Sequence, residues 1–138
     1  MSCELCDTDG GKVLWSDDLC RVVLVADPDY PGFCRVILNR HLPEMTDLPA
    51  AERARLMEIV FAVEQALRAA LAPDKMNLAS LGNLTPHLHW HVIPRYIDDR
   101  HFPNPIWGAS QRASRRQVAQ GWEERLVTHL TKLLARGD

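Results

Sequence analysis

An α+β domain with an antiparallel sheet of about five strands is the fold class this sequence predicts. Two observations predict it. Five short runs rich in Val, Leu and Ile are bounded by turn residues, while two longer segments repeat apolar residues at helical spacing. The elements also come in the order strands, helix, strands, helix with hairpin-like connections, which disfavours a doubly wound parallel sheet. The 138 residues are enough for one real core, burying roughly two-thirds of the unfolded surface. No repeat, low-complexity tract or change of composition divides the chain, so residues 1–138 read as a single domain.

Residues 12–16 and 19–26 read as two strands around a turn at Asp17-Asp18. Residues 27–32 hold two prolines and a glycine and form a loop. Residues 33–39 are the third strand. A polar connection over 41–47 leads to a long helix over 49–71, with Pro49 in its first turn. Leu56, Ile59, Val60, Val63, Leu67 and Leu71 form its apolar stripe. Pro73-Asp74 ends it. Residues 76–81 are the fourth strand, and Gly82-Asn83 opens a turn. Residues 87–93, His-Leu-His-Trp-His-Val-Ile, alternate polar and apolar as the fifth strand. A loop over 96–108 precedes a final helix over 115–135, with Val118, Trp122, Leu126, Leu130 and Leu133 inward.

Composition is that of an ordinary globular protein, 46% hydrophobic and 25% charged,. A net charge of -2 argues against sequence-independent nucleic-acid binding, which favours basic surfaces. A local cluster of His, Arg and backbone N–H groups still suits a small anion. The first residues carry no signal-peptide pattern and no apolar run reaches membrane length, so a soluble cytoplasmic protein is expected. Of four cysteines, Cys20 and Cys34 lie in strands and read as small buried hydrophobes. Cys3 and Cys6 form a Cys-x-x-Cys pair. In a cytoplasmic chain this is metal or redox chemistry, or two frayed terminal thiols, rather than a structural disulfide. Redox chemistry is the poorest fit, because the pair does not follow a strand at the start of a helix.

Three of the six histidines fall within five residues. On a strand, His87, His89 and His91 share one face at about 6.5–7 Å spacing, with Leu88, Trp90 and Val92 anchoring the other. Imidazole changes charge near neutral pH and serves as nucleophile, acid, base or metal ligand. Such a row can line one wall of a reactive site, and it also suits a zinc-dependent hydrolase.

The run His87-Leu-His-Trp-His-Val-Ile resembles the histidine-triad signature, and the chain is identified as similar to the histidine-triad family over roughly residues 3–95. Gly82-Asn83 stands where that family commonly has Gly-Gln, and Asn77 where many members carry Asn or Asp. Pro94-Arg95 follows the triad. Pro31-Gly32, with Asn39-Arg40-His41 at the end of the next strand, resembles the family's Pro-Gly-His and Lys-Arg-His segment. Residues after Tyr96 resemble a proteobacterial branch. The resemblance implies the histidine-triad fold, with the long central helix and a C-terminal helix, and a homodimer whose sheets join across the two-fold axis.

It also implies the chemistry. His89 attacks the α-phosphorus of a nucleotide, a dinucleoside polyphosphate or a nucleoside phosphoramidate, through a covalent nucleotidyl-histidine. His87 supports the site from behind. His91 contacts the phosphate and helps protonate the leaving group. Asn83 donates to a phosphate oxygen, and Asn77 and Asp27 complete the substrate contacts, Asp27 at the ribose or simply as a turn former before Pro28. No cofactor is required for the attack on phosphorus. Some family members hold a structural zinc, and the matching ligands are Cys3, Cys6, His41 and His87. Two departures bear on substrate preference: Asn83 replaces Gln, and Phe33 replaces the His after Pro-Gly. Arg95 reads as an anion contact or a surface residue, and Trp107 as a neighbour of the substrate or, more simply, a core or interface aromatic. His101 and His129 read as loop and helix-surface residues. A non-enzymatic nucleotide-binding module is the remaining alternative to catalysis.

Overall fold

The computed structural model describes residues 2–113 and 117–135. A short helix α1 (Glu4–Asp7) is followed by strands β1 (Lys12–Ser16), β2 (Cys20–Leu24) and β3 (Cys34–Leu38). The long helix α2 (Ala50–Leu71), strands β4 (Lys75–Ala79) and β5 (His89–Arg95) and helix α3 (Trp122–Leu134) complete the order. The sheet runs β1-β2-β3-β5-β4, antiparallel at every pairing. The predicted fold class and all five strands are present.

Alternation in the strands decides the two faces. Cys20, Val22, Cys34, Val36, Leu38 and Val92 turn to one side, against Leu56, Ile59, Val60, Val63 and Leu67 of α2 and Leu126, Leu130 and Leu134 of α3. The predicted α2 stripe is thus the core face, with Leu71 half-buried at its end. Pro49 sits one step before the helix as its N-cap, its carbonyl accepting the Arg53 N–H at 3.0 Å. Cys20 and Cys34 are fully buried, and burial pushes both thiols up to about 12, as inert core groups require.

The opposite face of the sheet carries Leu5, Val23 and Ile37 in one small cluster and Tyr30, Phe33 and Ile93 in another. Its middle is polar, and there the histidines lie. On the helix-covered side, Gly32 makes a close approach to α2. At φ +87°, a Cβ there would meet Leu71 Cδ1 at 2.5 Å.

Two elements differ from expectation. The fifth strand starts at His89, so His87 belongs to the preceding bend, and the strand continues through Pro94 to Arg95. The last helix starts at Trp122 rather than 115; residues 115 and 116 lie outside the described residues, and 117–120 are not helical. Gly121, at φ +82°, is the residue before the helix, and this left-handed turn keeps the helical pattern from extending back through Val118. No helix among the described residues is long and apolar enough to cross a membrane.

Candidate functional site

Two of the three clustered histidines share a pocket and the third does not. His89 and His91 leave β5 on the same side, their ring centroids 4.9 Å apart. Together with Glu4, Arg35, Gly82, Asn83, Thr85 and Trp107 they line a cavity of about 290 Å³. The expected triad of three adjacent imidazoles on one strand face is therefore corrected: His87 lies in the bend two residues before the first residue of β5, and its ring faces Cys3, Cys6 and His41 rather than the cavity.

His87 is fully buried. Its Nε2 donates to the Leu38 carbonyl at 2.6 Å. A carbonyl only accepts, so the proton is on Nε2 and Nδ1 carries a lone pair. That lone pair faces Cys3 Sγ at 3.4 Å, Cys6 Sγ at 3.4 Å and His41 Nδ1 at 3.2 Å. Cys6 Sγ also lies 3.3 Å from His41 Nδ1. All four ligand atoms fall within 4.8 Å of one another. Two thiols and two imidazoles at these spacings are what tetrahedral coordination asks for, with Zn–S near 2.3 Å and Zn–N near 2.0–2.1 Å. The four residues expected to hold a metal are thus brought together. Burial and the neighbouring His41 keep His87 below the usual histidine range, although the Leu38 carbonyl opposes this.

The geometry also separates this centre from a three-histidine metal site. The ligating nitrogen of His87 points to the thiols, while His89 uses Nδ1 to donate to the His87 carbonyl at 2.6 Å. The three rings do not converge on one point. For His89 the consequence is a fixed tautomer, with the proton on Nδ1 and the lone pair on Nε2. Burial lowers its proton affinity, the His87 carbonyl raises it, and Arg35 lowers it again, for a net depression. The Ser80 hydroxyl holds the His89 carbonyl at 2.8 Å, pinning the backbone on the β4 side.

His91 is 6% exposed. Burial, then the neighbouring His89 and Arg35, bring it down to about 4, so it is neutral at pH 7. Trp107 stands edge-on to it at 4.8 Å, and Phe33 lies 5.8 Å away on the other side.

The remaining expected residues divide. Asn83 lines the pocket, exposed at its mouth. Asn77 does not line it: its Oδ1 accepts from Arg95 Nη1 at 2.7 Å. Asp27 accepts the Asp29 N–H at 3.0 Å and lines a separate hollow of about 590 Å³ with Val25, Pro31, Gly32 and Trp122. Arg95 is neither an anion contact nor a surface residue. It is 2% exposed, ion-paired to Asp99 at 2.8 Å and packed against the rings of Tyr30 and Phe102. His101 is tied to the same network through the Tyr30 hydroxyl at 2.5 Å.

Sequence reasoning missed Arg35, while Trp107, left open there between a substrate neighbour and a core or interface aromatic, lines the cavity. A signal for Arg35 existed: in the run 33–38, it is the one charged residue among apolar ones, on the face of Phe33 and Ile37.

Known proteins resemble this chain in sequence and fold. The chain is 30% identical over 123 residues to an AP-4-A phosphorylase of Mycobacterium tuberculosis, covering 81% of the chain and 63% of that protein, so it spans under two-thirds of that relative's length. A histidine triad protein from Bradyrhizobium japonicum superposes with a TM-score of 0.71 at 29% identity, over 90% of each chain. A zinc-bound histidine triad family protein from Mycobacterium smegmatis shares the fold at 22% identity and TM-score 0.66, over 98% of this chain and 97% of that one. The HIT domain matches residues 9–98, a span running from β1 through the paired histidines of β5, and with that match the chain belongs to the HIT domain family.

Proposed function

We propose that the protein is a nucleotidyl hydrolase or transferase in which His89 Nε2 attacks the α-phosphorus of a nucleotide. The observation that carries this reading is the 2.6 Å hydrogen bond from His89 Nδ1 to the His87 carbonyl. It fixes the one tautomer whose Nε2 lone pair is free for the pocket, on a ring held neutral by burial. Attack forms a P–N bond as the bond to the leaving group breaks. Water or another acceptor then takes the nucleotidyl group, and the P–N electron pair returns to Nε2. Dividing the displacement in two is the gain of covalent catalysis. Asn83 and His91 line the same pocket and are assigned to the phosphate oxygens. Asn77 and Asp27 are occupied in bracing Arg95 and a turn and are left out of the reacting machinery. Dinucleoside polyphosphates and nucleoside phosphoramidates are the substrate classes. The phosphorylase name of the mycobacterial relative supports the first.

Cys3, Cys6, His41 and His87 would hold a structural zinc. The spacing of their donor atoms and the tautomer of His87 fit it, and the zinc-bound mycobacterial relative supports it. Zinc would be held by the two cysteines as thiolates, their protons released to solvent, and would tie α1 to the strand ends; it takes no part in the phosphorus chemistry. A homodimer is proposed through the outer edge of β4, which carries unpaired backbone groups and a single charge, Lys75, the kind of edge that pairs with a second strand.

The test is turnover of diadenosine tetraphosphate and adenosine phosphoramidate by wild type and His89→Ala, with and without chelator. We expect His89→Ala to lose about 10⁴-fold or more, and a quenched wild-type reaction to yield a nucleotidylated His89 peptide by mass spectrometry. Undiminished turnover by His89→Ala would remove the nucleophile from this reading. Binding without turnover of either compound would leave a nucleotide-binding module.

A further inference from the structure

A half-buried cation stands in the pocket that the histidine pattern does not call for. Among the described residues lining it, Arg35 is the one permanent positive charge. It pairs in register with His91 across β3 and β5, and its guanidinium carbon lies 5.8 Å from the Phe33 ring centroid. Its Nη1 donates to the Gly10 carbonyl at 3.2 Å, while its Nε is buried without a partner. Among the described residues no carboxylate forms an ion pair with it, although Glu4 lines the same cavity. Next to it His91, 6% exposed, has an unpartnered Nδ1. Buried donors and charges left without partners are costly. Two of them side by side, next to the attacking imidazole, are compensated when an anion fills the space.

We propose that Arg35 and His91 form an oxyanion subsite beside His89, and that it selects nucleotides whose leaving group is itself a phosphate- or sulfate-type oxyanion over those whose leaving group is an amine. This rests on the reading of His89 as nucleophile. When His89 Nε2 forms its bond to phosphorus, the bridging P–O bond breaks and its electron pair departs on an oxygen of the leaving phosphate or sulfate. That group is stable as an anion and needs no proton, only positive charge placed where its own charge grows. An amine leaving group differs: the P–N bond breaks and the nitrogen must take up a proton. The pocket supplies charge rather than acid, because His91 is neutral and Arg35 keeps its proton. In the second step a water oxygen bonds to phosphorus, the P–Nε2 pair returns to His89, and the water proton leaves to solvent.

The experiment compares the full chain as wild type, Arg35→Leu and Arg35→Lys on diadenosine tetraphosphate and adenosine phosphoramidate, with inorganic phosphate as inhibitor. Arg35→Leu should lower kcat/KM on the tetraphosphate about 10²–10³-fold, with a loss on the phosphoramidate at least tenfold smaller. Arg35→Lys should recover part of the tetraphosphate rate, and phosphate should inhibit Arg35→Leu more weakly than wild type. Equal losses on both substrates would overturn the proposal by moving Arg35 to the α-phosphate they share, or to the scaffold. Full activity of Arg35→Leu on the tetraphosphate would overturn it as well. If Arg35→Leu fails to fold, by its melting curve, Arg35→Lys carries the comparison: a folded lysine variant with unequal losses supports the subsite, and equal losses refute it. Activity in His89→Ala would instead overturn the nucleophile itself. Phosphate binding by calorimetry, unequal or equal between wild type and Arg35→Lys, would then still decide the subsite.

Discussion

Arg95 ends β5 as a cation between a proline and a tyrosine, and nothing in those neighbours announces that it is buried. The fold surrounds it with Asp99, Asn77, the Asn104 carbonyl and two aromatic rings. Asp99 also accepts the backbone N–H groups of Tyr96 and Phe102, so this pair folds the 96–104 loop onto the sheet. Removing one partner strands the other charge in the interior. Asp99→Ala should therefore cost about 3–5 kcal/mol, read as a drop in the urea midpoint without a change in slope. A much smaller loss would mean that water reaches Arg95. The same lesson holds for the site. His89 and His91 were legible because alternation puts i and i+2 on one face. Arg35 showed only as the one charged residue in an apolar strand, and its place beside His91 follows from strand pairing; Trp107 joins the pocket through a loop closure that no local pattern encodes.

At the scale of elements, α2 was read almost to the residue, because the apolar stripe of a six-turn helix has one solution,. The start of α3 was not. The apolar positions from Val118 to Leu133 fit helical spacing, and only the left-handed Gly121 shows where it begins. The metal-capable group was legible as residue types and spacing, yet its geometry depends on α1. That helix is held twice: by the cysteines, and by Leu5 buried against Val23 and Ile37, with Arg21 donating to the Leu5 and Thr8 carbonyls. Two consequences are expected of Cys3→Ser/Cys6→Ser. Zinc content by atomic absorption should fall from one per chain to near zero, and the melting temperature should drop. The far-UV spectrum should stay close to wild type, because Leu5 and Arg21 still dock α1. Full zinc retention in the double variant would place the metal elsewhere. In the core, Leu56→Ala at the α2–sheet contact should cost about 2–5 kcal/mol, measured by chemical unfolding; a loss under 1 kcal/mol would show that the site collapses around the missing methyls.

Over the whole molecule the sheet divides labour: its helix-covered face is apolar and carries stability, while its open face carries the titratable groups of the candidate site. Stability should therefore depend on acid through the open face. His91 is brought down to about 4 by burial, His89 and Arg35, below the roughly 6.5 of an unfolded histidine. Between those values the unfolded chain binds the extra proton and the folded one does not, so stability rises with pH there and is lost as pH falls. For Asp99, burial works against the charged form, but the Arg95 guanidinium and the Tyr96 and Phe102 N–H groups outweigh it and hold the carboxyl at about 2. Its contribution is present above about 3.9 and is lost as pH falls through 2. Two windows result, the first belonging to the histidine-lined cavity and the second to the loop brace. Urea unfolding at pH 7 and pH 5 separates them. Wild type should lose stability on this step, by up to about 2 kcal/mol if His91 dominates. His91→Gln, which keeps a polar group facing Arg35 but cannot titrate, should lose clearly less, while its stability at pH 7 stays within reach of wild type. Asp99→Asn should leave the pH 7 to pH 5 difference as it is in wild type, since its window lies lower. An equal acid loss in His91→Gln and wild type would show that the pocket is wet enough to accept the proton, and with it that His91 is available as an acid to an amine leaving group.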